Sequence, residues 1–357
     1  MAHNPANELV VAILHQAVPP PRIGNTLKPM KPGGYRDSGA DIAFALRSMG
    51  IKIVTECRVR PDDDSGWSFP DSEIGIDNAI ARGANCLWLN TVLYEGHSIE
   101  QWLHRVRIVG QHPSMVHRCD DKYETNQLLR HSGCPVVDSR LVDLRKDETP
   151  IEFPVVIKPV RGRGSQGVRV ILDAQQWRAA VDDFLTQGSF GTIAILEPFL
   201  AGEECTVTIM PPGRFSLHEK ACDFESPWCL PPVQRFNHEF GVAPYNGTVA
   251  VTKNSRVFDN RECRAATTKE LMQACVLAYG IVDARAPIRI DCRKDHEGRW
   301  LMFDLNAKPN MTGAGRPGRE NQDGLVAMAS ISTGLSYRNL VSDLVVNSWT
   351  VEEIDSP

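Results

Sequence analysis

Three groups of residues in this 357-residue chain have the types and spacing to handle a phosphate and a metal ion. The first is Lys158 in the apolar run FPVVIKPV, followed at once by RGRGSQG. Glycines let backbone N–H groups approach an anion closely, and the lysine adds fixed positive charge. The lysine precedes the glycines, so this is not the loop in which GK[ST] follows them, and alone it also suits a plain β-hairpin. The second is EPFLAGEE at 197–204, whose backbone suits an adenine ring and whose second acid suits a ribose, although a charged turn reads the same way. The third is Asp291 in PIRIDC with Asp304 and Asn306 in FDLNAKPN. Alternate strand residues share a face, so Asp304 and Asn306 point together, with Asp291 one hairpin away. Two carboxylates and an amide oxygen are hard ligands suited to Mg²⁺, and acids on otherwise apolar strands are costly without a cation. Arg289 alternates with Asp291 and shares its face.

The order of the three (lysine with glycine-rich turn, acidic hinge, acid–Asn pair) resembles the ATP-grasp superfamily, most closely its D-alanine–D-alanine ligase branch, over roughly residues 118–345. The resemblance implies ATP as cosubstrate, Mg²⁺ (or Mn²⁺) as metal, and an acyl-phosphate route from a carboxylate and an amine to an amide. It assigns ATP-phosphate contacts to Lys122 in CDDKYETNQLL and to Lys158. It assigns the small loop to Gly162, Gly164, Ser165 and Gly167, with Ser165 touching phosphate or substrate. The adenine hinge falls on Glu197, Pro198, Phe199 and Leu200, the ribose acid on Glu204, and the metal ligands on Asp291, Asp304 and Asn306. Arg289 matches the arginine that stabilises the tetrahedral intermediate.

Two departures stand out. The family pattern at the last metal site is Glu-x-Asn, and here it is Asp304-x-Asn306, one methylene shorter, which bears on whether two metal ions are bridged. Beyond it, KPNMTGAGRPGREN replaces a run of small residues, with Lys308 and Asn310 standing where small ones are usual; Asn310, Arg316 and Arg319 become substrate candidates, one of the arginines as a bidentate grip on an acceptor carboxylate. In the N-terminal KPMKPGGYRDSGAD, Asp37 or Ser38 falls near the position of a donor-amine contact. A mobile active-site loop is expected within 218–247, with PYNG at 244–247 as its tip. These departures favour a specialised amino-acid or dipeptide ligase. A carboxylase- or kinase-type enzyme is one alternative, since RGRGSQGVRV is faintly similar to biotin carboxylase loops; a non-catalytic nucleotide binder is another.

The elements that must position these residues read as α/β. Short apolar runs at 9–14, 51–55 and 86–89 alternate with helical segments, the pattern of an open parallel sheet. Asp37 or Ser38 is the expected cap of the first helix and Gly50 its stop. A helix is expected over DKYETNQLLRHSG, strands over 134–142, 153–160, 168–172, 194–200 and 205–210, and a helix over 173–185 capped by Asp173. Residues 211–262 read as a sheet with long loops, 264–279 as a helix, and 287–312 as a hairpin turning at 296–298. The last helix is expected near 323–334. The division is 1–118 (open parallel α/β domain), 119–203 and 204–350 (central and C-terminal ATP-grasp subdomains), and a frayed tail at 351–357.

Composition frames these readings. Charged residues are 23% and the net charge is −5, which points away from nucleic acid and anionic membranes. Ten cysteines without a Cys-x-x-Cys pair read as thiols in a reducing compartment. The N-terminus lacks a basic leader and no apolar stretch is bilayer-length, so a soluble cytoplasmic protein is expected, acting on small molecules and forming homodimers as is common in the resembled family.

Overall fold

The computed structural model describes residues 9–24, 26, 28–146, 149–150, 152–238, 241 and 251–351. Its first sheet grows from β1 (Val10–His15), whose residues Val11–Leu14 are at most 1% exposed. A strand apolar on both faces belongs inside a parallel sheet covered on both sides. After α1 (Arg36–Ser48) come β2 (Lys52–Ile53), β3 (Phe69–Pro70), α2 (Glu73–Ala81), β4 (Cys86–Asn90) and β5 (Arg107–Val109). The strands run parallel in the order β2-β1-β4-β5, with β3 also on β1.

The expected cap of α1 is corrected. Tyr35 precedes the helix in a left-handed conformation (φ 69°), and Asp37 and Ser38 lie within the first turn. Gly33 and Gly34 are left-handed as well, and the Gly34 carbonyl accepts from Gln16 N at 2.9 Å. A Cβ at Gly34 would stand 1.9 Å from the Gln16 carbonyl oxygen, so only glycine allows this approach. The chain therefore folds tightly against the end of β1 and enters the helix without a side-chain cap. Gly50, at φ 80°, ends it as expected.

The short helix α3 (Pro113–Cys119) leads to α4 (Lys122–His131), where Asp121 accepts from Glu124 N at 3.0 Å as N-cap. Next come β6 (Arg140–Asp143), β7 (Val155–Pro159), β8 (Arg169–Ile171), α5 (Ala174–Gln187) and β9 (Ile193–Pro198), an antiparallel sheet in the order β6-β9-β7-β8 with α5 against it. The strand expected over 134–142 is broken: Val136 bridges Met302 of another sheet before β6 begins.

The rest is β10 (Glu204–Met210), β11 (Gly213–Leu217), β12 (Lys220–Phe224), β13 (Trp228–Cys229), β14 (Val233–Arg235), β15 (Ser255–Val257), α6 (Asn260–Arg264), α7 (Ala266–Ile281), β16 (Ile288–Lys294), β17 (Trp300–Asn306), α8 (Leu325–Ser332) and α9 (Tyr337–Val346). Its main sheet is antiparallel, in the order β15-β14-β10-β16-β17. One further helix, α9, follows the one expected to be last; it packs on β11 and on α1. Much of the expected mobile loop is ordered as β12, β13 and β14, while 239–240 and 242–250, with the PYNG tip, lie outside the described residues.

Among the described residues, apolar side chains form three cores. Two of them mix the first 116 residues with the C-terminal sheet and helices: Leu14, Phe69 and Leu87 with Val207 and Ile290, and Ile13, Ile42 and Trp67 with Leu340 and Val341. The third, around Ile157, Trp177, Phe184 and Leu196, belongs to the central sheet alone. Among the described residues no helix is long and apolar enough to cross a membrane.

Candidate active site

The hairpin of β16 and β17 carries the metal candidates on one face. Arg289 stands opposite Asn306, and Asp291 opposite Asp304. A β-bulge creates this register. From the turn, Trp300, Leu301 and Met302 pair with Lys294, Arg293 and Cys292, and then Phe303 is skipped. Without the bulge Asp304 would oppose Ile290, a core residue, and face away from Asp291. The extra residue shifts the phase so that Trp300, Met302 and Leu305 stay in the core while Asp304 and Asn306 open to the cleft.

Fixed cations already hold these acids. Arg289 donates to both oxygens of Asp291, from Nε at 3.0 Å and Nη2 at 3.1 Å. Asn306 Nδ2 donates to Asp291 at 3.1 Å and to Asp304 at 3.4 Å. Lys122, at the start of α4, donates to Asp304. Burial raises the cost of charge on Asp291, but Arg289, aided by Thr206 and Arg235, more than offsets it and lowers the carboxyl's pKa. Burial likewise works against the Lys122 ammonium, and Asp304, aided by Asp120 and Asp291, outweighs it and raises the pKa. Two carboxylates and one amide share the face, with cations lodged against the acids; with the Asn306 amide turned to present its oxygen, they supply an oxygen donor set that fits Mg²⁺.

Lys158 extends from β7 into the same cleft, where Nζ lies 2.7 Å from Glu197 Oε1 and donates to the Phe303 carbonyl at 2.8 Å. That carbonyl belongs to the bulged residue, so one irregularity aims Asp304 and anchors the lysine. Glu197 is buried, and desolvation raises its pKa despite Lys158. Its side chain is thus committed to the lysine, leaving Pro198, Phe199 and Leu200 to line the cleft with backbone and ring. Phe199 lies 4.8 Å below the Arg293 guanidinium. Glu204, at the start of β10, accepts from His238 at 2.9 Å and stands 3.6 Å from Arg293.

In the glycine-rich turn, Gly164 (φ 61°) and Ser165 (φ 55°) are both left-handed and line the cleft with Gly162 and Arg163. Gly167 does not. It packs inward, where a Cβ would meet the Pro159 and Phe190 rings at 2.8 and 2.9 Å, so it shapes the turn without facing a ligand.

The cleft has a volume of about 260 Å³ and brings together Lys122, Lys158, Ser165, Glu204, Arg289, Asp291, Asp304, Asn306 and Asn310. The other substrate candidates lie elsewhere. Ser38 is fully buried, donating to the Tyr35 carbonyl at 3.1 Å and accepting from Asn90 at 3.1 Å. Asp37 pairs with Lys31 at 3.9 Å and Arg319 at 3.7 Å. Arg316 and Arg319 both hold the fully buried Asp41 of α1, at 2.8 and 3.1 Å. The expectation that they grip a substrate carboxylate is therefore corrected: the carboxylate in their grip is the chain's own.

Several cleft residues escaped the sequence reading. Tyr35, Lys28, Asp120 and Arg163 all line it. Lys28 and Arg161 both pair with Asp120. Lys308 stands 3.5 Å over the Tyr35 ring, and burial, with Lys31 and Arg163 nearby, pushes its ammonium down to about 7. Only the two glycines before Tyr35 and the misfit of Lys308 among small residues hinted at this corner.

An N-terminal parallel α/β layer and two antiparallel sheets around a cleft of lysines, acids and a glycine-rich turn make up the ATP-grasp ligase fold. Solved structures agree. The D-alanine–D-alanine ligase from Bacillus anthracis, complexed with ATP, superposes with a TM-score of 0.64 at 16% identity, covering 95% of this chain and 97% of that one. A D-Ala:D-Ser ligase from Enterococcus faecalis gives a TM-score of 0.61 at 13% identity, covering 95% and 99%. The family model described as D-ala D-ala ligase C-terminus matches residues 137–346, more than half of the chain, and the chain belongs to that family. Among curated relatives, the D-alanine–D-alanine ligase of Acinetobacter baumannii is 23% identical over 237 residues, 62% of this chain, and that of Actinobacillus succinogenes is 24% identical over 233 residues, 63% of it. The match spans 64% of the Acinetobacter enzyme's length, under two thirds.

Proposed function

We propose that this protein is an ATP-dependent, ADP-forming ligase that joins a small carboxylate to an amine, a specialised amino-acid or dipeptide ligase. The observation that carries this is the co-facing set Arg289, Asp291, Asp304 and Asn306, opposed in one cleft by Lys122, Lys158 and the turn around Ser165. The substrate carboxylate oxygen attacks the γ-phosphorus of ATP, the bond to the β-phosphate oxygen breaks, and ADP leaves. The amine nitrogen then attacks the acyl carbon, loses a proton, and phosphate departs with the C–O bonding pair.

Asp291, Asp304 and Asn306 would hold Mg²⁺, which when bound offsets phosphate charge. Lys122 and Lys158 supply fixed positive charge beside the transferring phosphoryl group, where positioning and neutralisation dominate catalysis. Asp291 holds the Arg289 guanidinium by two bonds on the cleft face, ready for the tetrahedral oxyanion. Pro198–Leu200 take the adenine and Glu204 the ribose. Ser165 and the backbone of Gly164 face the phosphates, and Asn310 faces the substrates. The three units, 1–118, 119–203 and 204–350, form the site jointly, and the enzyme works in the cytoplasm.

The test is ADP release with Mg·ATP against L- and D-amino acids, singly and in pairs, with products read by mass spectrometry. Pair-dependent release with a condensed product, sharply reduced in Asp304→Asn at the Mg²⁺ concentration that saturates the wild type, is expected. ATP turnover that no carboxylate–amine pair stimulates would overturn the ligase reading.

A further inference from the structure

The cations that line the cleft differ in their partners. Lys28, Lys122, Lys158, Arg289 and Arg293 each pair with a carboxylate, of Asp120, Asp304, Glu197, Asp291 and Glu204 respectively. Lys308 and Arg163 also line the cleft, and among the described residues neither has a carboxylate within ion-pair distance. Both converge on Tyr35. Lys308 Nζ lies 3.5 Å from its ring centre, and Arg163 Nη1 lies 3.4 Å from its hydroxyl. Lys31 adds a third positive charge, 5.0 Å from the same ring, and Asp37, 3.9 Å from Lys31, does not line the cleft. Three like charges crowded beside a single carboxylate, itself shared with Arg319, are unfavourable, and an anion arriving there relieves them. An ammonium group arriving there is repelled.

The location narrows the anion. Lys308 follows Asn306 by two residues, so their Cα atoms are at most about 7 Å apart. Tyr35 comes from the N-terminal domain and Arg163 from the glycine-rich turn of the central sheet. Lys308 is therefore within one short substrate's length of the metal-binding face.

We propose that Lys308, Arg163 and Tyr35, backed by Lys31, form a subsite for a second carboxylate on the acid substrate, so that the enzyme activates a dicarboxylic acid or acidic amino acid in preference to one whose far end is neutral or cationic. This rests on the ligase reading for the identity of the reacting carboxylate. Recognition by the cluster can nevertheless be measured without turnover.

The experiment is calorimetric binding of matched pairs to the intact protein with Mg²⁺ and a non-hydrolysable ATP analogue: D- and L-glutamate against the corresponding glutamines, and succinate against succinamate. The dicarboxylate of at least one pair is expected to bind about tenfold more tightly than its amide, with the preference shrinking as salt is added. Lys308→Met and Arg163→Met should each bring the pair close to parity, and Lys308→Arg should keep the preference, while affinity for the analogue stays within about twofold. Equal binding of acid and amide in every pair overturns the proposal. So does a loss in Lys308→Met that falls on the nucleotide, which would make the cluster a phosphate site. Failure of the ligase reading appears separately, as a dicarboxylate that binds selectively but yields no condensed product with any amine.

Discussion

Removing Arg316 tests whether this arginine is a structural clamp or a substrate contact. Its Nε donates to Asp41 Oδ1 at 2.8 Å, both side chains are almost wholly buried, and Arg319 supplies the other oxygen's partner at 3.1 Å. Arg316→Met preserves most of the apolar stem and deletes one cation. Removing one member of a buried pair costs about 3–5 kcal/mol, because the other charge is left without compensation. With Arg319 still in place, the low end applies: about 3 kcal/mol, or roughly a hundredfold in the folded-to-unfolded ratio. The loss should depend on pH. Burial already raises the Asp41 carboxyl above its usual value, although both arginines pull it down. Deleting Arg316 raises it further. The folded variant then keeps a proton that the unfolded chain, with a carboxyl pKa of about 3.9, has released. Between that value and the raised folded one, the variant loses stability as pH rises, so its deficit is greater at pH 7 than at pH 5. Urea unfolding of wild type and variant at both values measures this. A deficit below about 1 kcal/mol at pH 7, together with a raised KM for a carboxylate or amine substrate, would refute the clamp and restore the arginine to the substrate site.

Further expectations follow from the geometry. Asp304→Asn removes one of two carboxylates from the metal face and the partner of Lys122, so the Mg²⁺ needed for half-maximal ADP release should rise at least tenfold, read by titrating Mg²⁺ at fixed ATP; an unchanged titration places the metal elsewhere. Glu197→Gln strips the buried Lys158 of its counter-charge, so the KM for ATP should rise and stability fall by about 2 kcal/mol, checked by kinetics and denaturation. Gly34→Ala puts a methyl group 1.9 Å from the Gln16 carbonyl oxygen, so the start of α1 must shift; a loss of about 2 kcal/mol in urea unfolding is expected, and wild-type stability would contradict the close approach.

The site was legible where its logic is local. Lys158, the glycine turn, and Asp304 with Asn306 declare themselves by neighbours a few residues away. Asp291 facing Asp304 was not readable, because strict alternation back from the hairpin turn sets Asp304 opposite Ile290, and only the bulge at Phe303 corrects the register. The role of Arg316 was hidden for another reason: its partner Asp41 lies 275 positions earlier, and a glycine-rich loop with two arginines reads equally well as a ligand grip. The cap of α1 was misread because Asp and Ser are good caps, whereas here the Gly33-Gly34-Tyr35 turn delivers the chain already wound. Helix α9 was missed, though Ser336 caps it by accepting from Asn339 N at 3.2 Å.

The distribution of apolar cores has a mechanical consequence. The N-terminal layer and the C-terminal sheet share two cores and the Asp41 clamp, so they are packed into one continuous body. The central sheet is sealed by its own small core and is tied across the cleft by Lys158 to the Phe303 carbonyl, Arg163 to Tyr35 and the Thr26–Phe190 bridge. Polar ties of this kind exchange readily with water, whereas shared apolar cores do not. The cleft is therefore expected to open like a jaw with one moving half: β6–β9 and α5, carrying Arg163, swing while Tyr35, Lys308 and the metal face keep their mutual distance. Amides of the central sheet should exchange with solvent faster than those of β1 or β16, and nucleotide bound across the gap should slow that exchange by fastening the halves together.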